Sequence, residues 1–400
     1  MLAVLAGRLG DVERAEDAVQ EALLEAARWW PARGVPDNPA GWLMTVAHRK
    51  AIDRIRREDS AHRRTMASAP ELLAYAEGAG EPPVPGLAVD EVGIRDEQLR
   101  LLLLCCHPAL DRDTQIALVL RLVGGLTTGE IAAAFLLPEA TVAQRLVRAK
   151  RKIRAARVPL SIPTDLGGRV EAVLAVLYLT FNEGYLSRGD GDGATRVGLV
   201  DEALRLTALA RELLPNRPEL DGLLALELYS RARIDTRVDG AGDLVLLEDQ
   251  DRSRWDDAMI AQGNAVLTGA LARIRPGPFQ LQALIAALHA NAPSAASTDW
   301  GRIVALYDQL AQMTASPVVA LNRAVAVAMT DGPDAGLALL DSADGLEGYH
   351  LLHAARGELL LRAGRGHEAA GSFTRARELT RNPAEQRHLD RRLALCATGD

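Results

Sequence analysis

The 400-residue sequence predicts an all-α protein, and three observations carry that expectation. Only four Phe occur, runs of alternating β-branched residues are nearly absent, and apolar residues recur at helical spacing along most of the chain. At 48% apolar and 25% charged, the composition is globular, and the length suits two or three domains better than one core. Punctuation by Pro and Gly divides the chain into a helical domain (1–66), a linker (67–90), a helix-turn-helix domain (91–158) and a helical-repeat extension (163–400).

In the first domain, Ala15, Val19, Ala22, Leu23 and Ala26 share one helical stripe, and the stretch Pro31 to Pro36 is expected to break that helix. Its first half is acidic (Asp11, Glu13, Glu16, Asp17, Glu21, Glu25), which suits a basic protein partner or solubility rather than DNA. Asn38 as N-cap and Pro39 at the first helical position open a second helix, expected to reach about Glu58. Its buried face is read as Met44, Ala47, Ala51, Ile52 and Ile55. Arg49, Lys50, Arg54, Arg56 and Arg57 lie opposite, with Trp42 and Val46 on the exposed side. An indole beside arginines can stack an unpaired base, or it can anchor the preceding helix. The linker holds Pro70, Pro82, Pro83, Pro85 and three glycines.

Thr127 and Glu130 have capping-box spacing and open a short helix that stops at Leu137-Pro138. The next helix, over 139–156, places Val142, Leu146, Ala149, Ile153 and Ala156 on one stripe. Thr141, Gln144, Arg145, Arg148, Arg151 and Lys152 occupy the other. Seven basic residues against one acid between Glu139 and Arg157 argue against an ordinary solvated surface helix. Arg and Gln reach base edges in the major groove while flanking cations hold phosphates. Residues 1–157 carry 22 Lys+Arg against 21 Asp+Glu and the remainder 24 against 32, so cationic stripes sit in the first part of a protein of net charge −7.

In the extension, Gly357, Ala369, Phe373 and Ala376 are separated by 12, 4 and 3 residues. Ala324, Gly336, Leu340 and Ala343 repeat that spacing 33 residues earlier. Small residues at this spacing are the signature of tetratricopeptide-like helix pairs. Ala203, Thr207, Ala210 and Pro215 match half a unit, and between 230 and 300 the period is lost.

Taken together, these residues resemble an extracytoplasmic-function (ECF) sigma factor of bacterial RNA polymerase. The stretch Ala15-Glu16-Asp17-Ala18-Val19-Gln20-Glu21-Ala22 resembles the region 2 helix that docks on core polymerase. Trp42-Leu43, Ala47-His48-Arg49 and Ala51-Ile52-Asp53-Arg54 resemble the segment that melts the −10 element. Leu126 to Arg154 resembles region 4, whose second helix reads the −35 element. Cys105-Cys106-His107-Pro108, Phe181-Asn182-Glu183-Gly184-Tyr185, Gln250 to Asp256 and Ser316 to Arg323 are similar to the subgroup with a tetratricopeptide-like extension.

The resemblance implies core polymerase contact by Glu16, Asp17, Gln20 and Glu21. It implies −10 contact by Trp42, Arg49, Lys50, Arg54, Arg56 and Arg57, and −35 contact by the exposed α-helical residues just listed over 141–152. Few residues precede Glu16, so the first region 2 helix is expected to be short. Core RNA polymerase and promoter DNA are the implied partners, with a protein or peptide partner for the repeats. A stand-alone helix-turn-helix regulator with a sensing repeat domain is the alternative. A scaffold without DNA activity is a third reading.

Enzyme, cofactor and metal readings find no footing. Cys105 and Cys106 adjoin on one helix without a second Cys/His pair at zinc spacing. His367-Glu368 begins a zinc-protease motif that fails at Gly371, and the Asp190–Asp192 stretch lacks the turn glycine of a calcium loop. Three cysteines and no membrane-length apolar run fit a cytoplasmic protein without membrane attachment.

Overall fold

Alanine-rich stripes let the N-terminal helices approach closely. The computed structural model describes residues 1–66, 91–135, 137–155, 162, 166–185, 193–240, 242–272, 276–342, 345–380 and 382–397, and these fall into two units. The first comprises Met1–Ala132 with Pro138–Val173, and the second Ala133–Leu137 with Leu174–Asp400. The linker at 67–90 and Ala343 lie outside the described residues. Among the described residues the only β pairing is an isolated antiparallel bridge between Val238 and Leu244.

Unit 1 begins with α1 (Leu2–Leu9), closed by Gly10 in the left-handed conformation (φ 64°). Asp11 then caps α2 (Val12–Arg33), its carboxylate accepting from the Glu13 and Arg14 N–H groups at 3.0 and 3.2 Å. Contrary to expectation, Pro31 does not end α2. It sits in the last turn, where the helix has few bonds left to lose, and Gly34 N–H still reaches Trp30 O at 2.9 Å. Asn38 caps α3 (Pro39–Met66) through Gly41 N–H at 2.8 Å, and the helix runs eight residues beyond the expected end.

Leu5, Ala6, Ala15, Ala18, Val19, Ala22, Val46, Ala47 and Ala51 form the core of this helical group. Two sequence assignments change. Val46 is buried rather than exposed, and Leu23 is exposed rather than part of the buried stripe. The reason is the crossing of α3 over α2: the buried arc centres on Val46, Ala47 and Ala51, one position away from the arc expected.

The same unit continues with α4 (Glu91–Cys105), α5 (Arg112–Leu118), a π-helical turn (Val119–Val123), the start of α6 (Thr128–Phe135) as far as Ala132, and α7 (Glu139–Ala155). Cys105 and Cys106 are fully buried free thiols at the end of α4, and burial pushes the Cys106 thiol up to about 12. Helix α1 packs on α4 as well as on α2, and α5 packs on α7.

Helix α8 (Gly167–Tyr185) leads into unit 2, which holds α9 (Gly193–Leu213), α10 (Pro218–Ala232), α11 (Asp257–Leu271) and α12 (Pro278–Ala290). Then follow α13 (Trp300–Met313), α14 (Pro317–Asp331), α15 (Pro333–Asp341), α16 (His350–Arg362), α17 (Gly366–Leu379) and α18 (Pro383–Ala397). From α12 onward each helix packs on the next, the pattern of a helical solenoid. The repeat positions do what their spacing requires. A Cβ at Gly336 would lie 2.5 Å from Ala328 Cβ, and one at Gly357 would lie 2.6 Å from the Phe373 ring.

Where the period is lost, helices α11 and α12 persist, but residues 237–240 and 242–256 form a strap outside the α-helices. Trp255 anchors it by donating to Thr236 Oγ1 at 3.0 Å. Glu248 in the strap accepts two hydrogen bonds from Arg362 Nη2 on α16, each at 2.7 Å. Asp243 accepts from Arg387 and Arg391 on α18 at 2.6 and 2.7 Å.

Candidate nucleic-acid and polymerase interface

The helix-turn-helix is built locally. Thr127 N–H and hydroxyl donate to the Glu130 carboxylate at 2.7 and 2.8 Å, and Glu130 N–H donates back to Thr127 Oγ1 at 3.1 Å. That reciprocal cap starts α6, and Pro138 precedes α7. On α7, Val142, Leu146 and Ala149 are buried, which turns the opposite face to solvent.

On that solvent face Gln144, Arg148, Arg151 and Lys152 are exposed, and Thr141 and Arg145 are half-buried. Arg145 reaches Asp113 at 3.3 Å. Among the described residues, Arg148, Arg151 and Lys152 have no carboxylate partner, and the Arg148 Nε–H bonds only to the Gln144 carbonyl, at 3.4 Å. Val147 stands at the edge of this cationic face, 56% exposed. Sequence periodicity assigned it no role. An apolar side chain among exposed arginines suits contact with a thymine methyl group.

Helices α2 and α3 bring the other two predicted sets together. Arg54 pairs with Asp17 at 2.8 Å and Glu21 at 4.0 Å, while Lys50 and Arg49 reach Glu25 at 2.8 and 3.6 Å. Acids expected to face polymerase therefore neutralise cations expected to face DNA. Arg56 and Arg57 remain exposed, Arg57 bonding to the Asp53 carbonyl at 3.2 Å. Trp42 is half-buried and tilts against Trp30 with ring centroids 5.7 Å apart, so it anchors α3 on α2 while keeping one edge accessible.

Glu16 is placed differently from its neighbours. It is 9% exposed, and its carboxylate accepts from Arg121 at 2.9 Å and from Lys150 on α7. It is not on the face that Gln20 and Glu21 present to solvent. That face carries instead Leu24, 59% exposed and missed by sequence reasoning, with Leu23, 43% exposed, at its edge; Trp29, 44% exposed with Arg33 stacked on it at 3.9 Å, lies half a turn round the helix from Gln20. The signal was present in Leu24, an apolar residue across the helix from the alanine stripe.

Comparison with known proteins agrees with this arrangement. The sigma-70 region 2 model matches residues 1–61 and the sigma-70 region 4 model matches residues 100–153. A family of unknown function, DUF6596, matches residues 169–271. Both helical groups of unit 1 are thus those of a sigma factor. An uncharacterized protein of Rhizobium meliloti (strain 1021) is 42% identical over 382 residues, covering 95% of this chain and 89% of that one. The ECF RNA polymerase sigma factor SigK of Mycobacterium sp. (strain KMS) is 30% identical over 142 residues, covering 34% of this chain and 67% of its own. The probable ECF RNA polymerase sigma factor SigI of Mycobacterium tuberculosis (strain CDC 1551 / Oshkosh) is 30% identical over 154 residues, 38% of this chain and 50% of its own. The chain therefore belongs to the ECF RNA polymerase sigma factors, which direct transcription initiation. No solved structure matches it. No described helix is long and apolar enough to cross a membrane.

Proposed function

We propose that α7 reads the −35 element through Thr141, Gln144, Arg145, Arg148, Arg151 and Lys152, with Val147 beside them. The observation that carries this reading is that Arg148, Arg151 and Lys152 on one helix face are cations without a carboxylate partner among the described residues. Polyanionic DNA supplies that charge. On α3, Trp42 and Arg49, Lys50, Arg54, Arg56 and Arg57 hold the unpaired −10 strand. Arg56 and Arg57 make first contact, and the others are released from Asp17, Glu21 and Glu25 as those acids engage polymerase. The docking face on α2 is Asp17, Gln20 and Glu21 together with Leu23 and Leu24. The extension modulates activity or holds a partner. The protein itself makes and breaks no bonds, needs no cofactor, and works in the cytoplasm on core RNA polymerase.

A run-off transcription assay with purified core polymerase on the DNA upstream of its own gene tests this. Specific transcripts are expected only when the protein is added, and they should be lost in the Arg145→Ala/Arg148→Ala variant. A protein that binds that DNA alone and stays silent with polymerase would instead be a stand-alone regulator.

A further inference from the structure

Unit 2 encloses a half-open cavity of about 620 Å³, walled by α8, α10, α12, α13 and α14. The volume lies within the range of small-molecule sites and far above a packing defect. Its lining is amphipathic. The rings of Tyr178, Tyr229 and Tyr307 form aromatic walls, and Asn322 adds an amide that hydrogen-bonds Tyr307. Arg233 brings the cation and His289 an imidazole.

The charge at this cavity is unbalanced. Arg233 lies against Arg237 and Arg252, with the Tyr185 ring 5.6 Å from its guanidinium, and burial followed by those two arginines pulls its pKa down. Its two neighbours are held. Arg252 donates to the carbonyls of His289 and Ala292 at 2.5 and 3.0 Å and stacks on Trp255. Arg237 stacks on Tyr185 at 3.9 Å and bonds to its carbonyl. Nearby carboxylates are committed elsewhere, Glu248 to Arg362 and Asp201 to Arg231. Arg233 has no hydrogen-bond acceptor among the described residues. A sheltered guanidinium without a counter-ion is costly, and folded proteins pair such groups. His289 is kept neutral, its pKa lowered to about 4 by burial and then by Arg233 and Arg252, so the lining presents one charge and not two.

We propose that this cavity is a binding site for a small aromatic monocarboxylate, its acid paired with Arg233 and its ring held between the tyrosines. A single planar guanidinium matches one carboxylate in bidentate geometry, and a dianionic phosphate would find no second lining cation. The site is independent of promoter recognition and stands whether or not α7 reads DNA as argued above.

The test is calorimetric titration of the full chain with 3-phenylpropanoate, with 3-phenylpropanol as the uncharged counterpart and inorganic phosphate as an anion without a body. Saturable one-to-one binding of the carboxylate is expected below about 1 mM, with the alcohol about tenfold weaker and phosphate showing no saturation. Arg233→Gln should weaken the carboxylate about tenfold and leave the alcohol unchanged, with thermal melting as the check on folding. Val318→Trp fills the cavity from its rim, where Val318 is 38% exposed, and should abolish binding of both organic probes while keeping the arginine. No saturable binding of 3-phenylpropanoate overturns the proposal. So does equal affinity for phosphate, or carboxylate binding that survives either substitution.

Discussion

Glu16 on α2 and Arg121 in the π-helical turn meet at 2.9 Å across 105 residues of sequence, and Lys150 on α7 closes on the other carboxylate oxygen. One acid thus joins the region 2 helices to the region 4 helices within unit 1. All three side chains are mostly buried, so the acid offsets two sheltered cations at once. Glu16→Ala leaves both unpaired and is expected to lower stability by about 2–3 kcal/mol. The melting transition of this unit should fall by roughly 5–10 °C. Glu16→Gln, which keeps the shape, should fall between the two. An unchanged melting temperature for the alanine variant would show that the pairing contributes nothing.

Arg148 and Arg151 are exposed and make no ion pair among the described residues, so their removal should leave folding intact. On promoter DNA in the polymerase complex, a base-reading arginine is worth ~1–3 kcal/mol, and each lost phosphate contact lowers the salt slope of affinity by about one. Measuring affinity against salt for Arg148→Ala and Arg151→Ala separates those roles. A variant whose affinity and slope both match the parent touches no DNA.

Gly336 sits where α15 crosses α14, with Ala328 Cβ and Ala324 O at 2.5 and 2.8 Å from the place a Cβ would take. Gly336→Ala must push two helices apart and is expected to cost about 1–3 kcal/mol, read from chemical denaturation of the full chain. Gly269, with nothing within 4 Å of its Cβ position, is the control. Gly269→Ala should be neutral or stabilising, since the residue lies inside α11.

Glu227 is fully buried on α10, accepts from Thr207 Oγ1 at 3.0 Å, and its second oxygen has no partner among the described residues. Burial is the main cause that raises its carboxyl well above 4.5, the Thr207 bond opposing it. The folded state therefore holds a proton that the unfolded chain releases above pH 4.5. Stability from this group is fully present below that pH and is lost as pH rises toward the folded value. Glu227→Gln keeps the shape and the Thr207 bond without the titration. Its melting temperature should match the parent near pH 4 and exceed it increasingly toward neutral pH. Parallel curves would rule out a buried titrating acid.

Much of this architecture was legible locally. Asn38-Pro39, the Thr127–Glu130 box and the 33-residue spacing each act within a few turns of chain, and each element formed where its own residues dictate. What escaped depends on partners distant in sequence. Asp17 and Glu16 look alike on a helical wheel, yet one faces Arg54 near the surface and the other is enclosed by Arg121 and Lys150. Val46 was misassigned because the crossing angle of two helices, not their periodicity, sets the centre of a buried arc. The strap follows no period at all, being held by carboxylate–arginine bonds to helices more than 100 residues on.

Those bonds change how the extension comes apart. In a linear array each repeat leans only on its neighbours, so the last helix can fray while the middle stays intact. Here Asp243 grips Arg387 and Arg391 on α18, the last described helix, and Glu248 grips Arg362 on α16. Loss of the terminal helices is thereby coupled to release of a segment anchored beside α10. The extension should exchange its amide hydrogens as a single cooperative block, and cutting the tie with Asp243→Ala should return it to stepwise unzipping from its end.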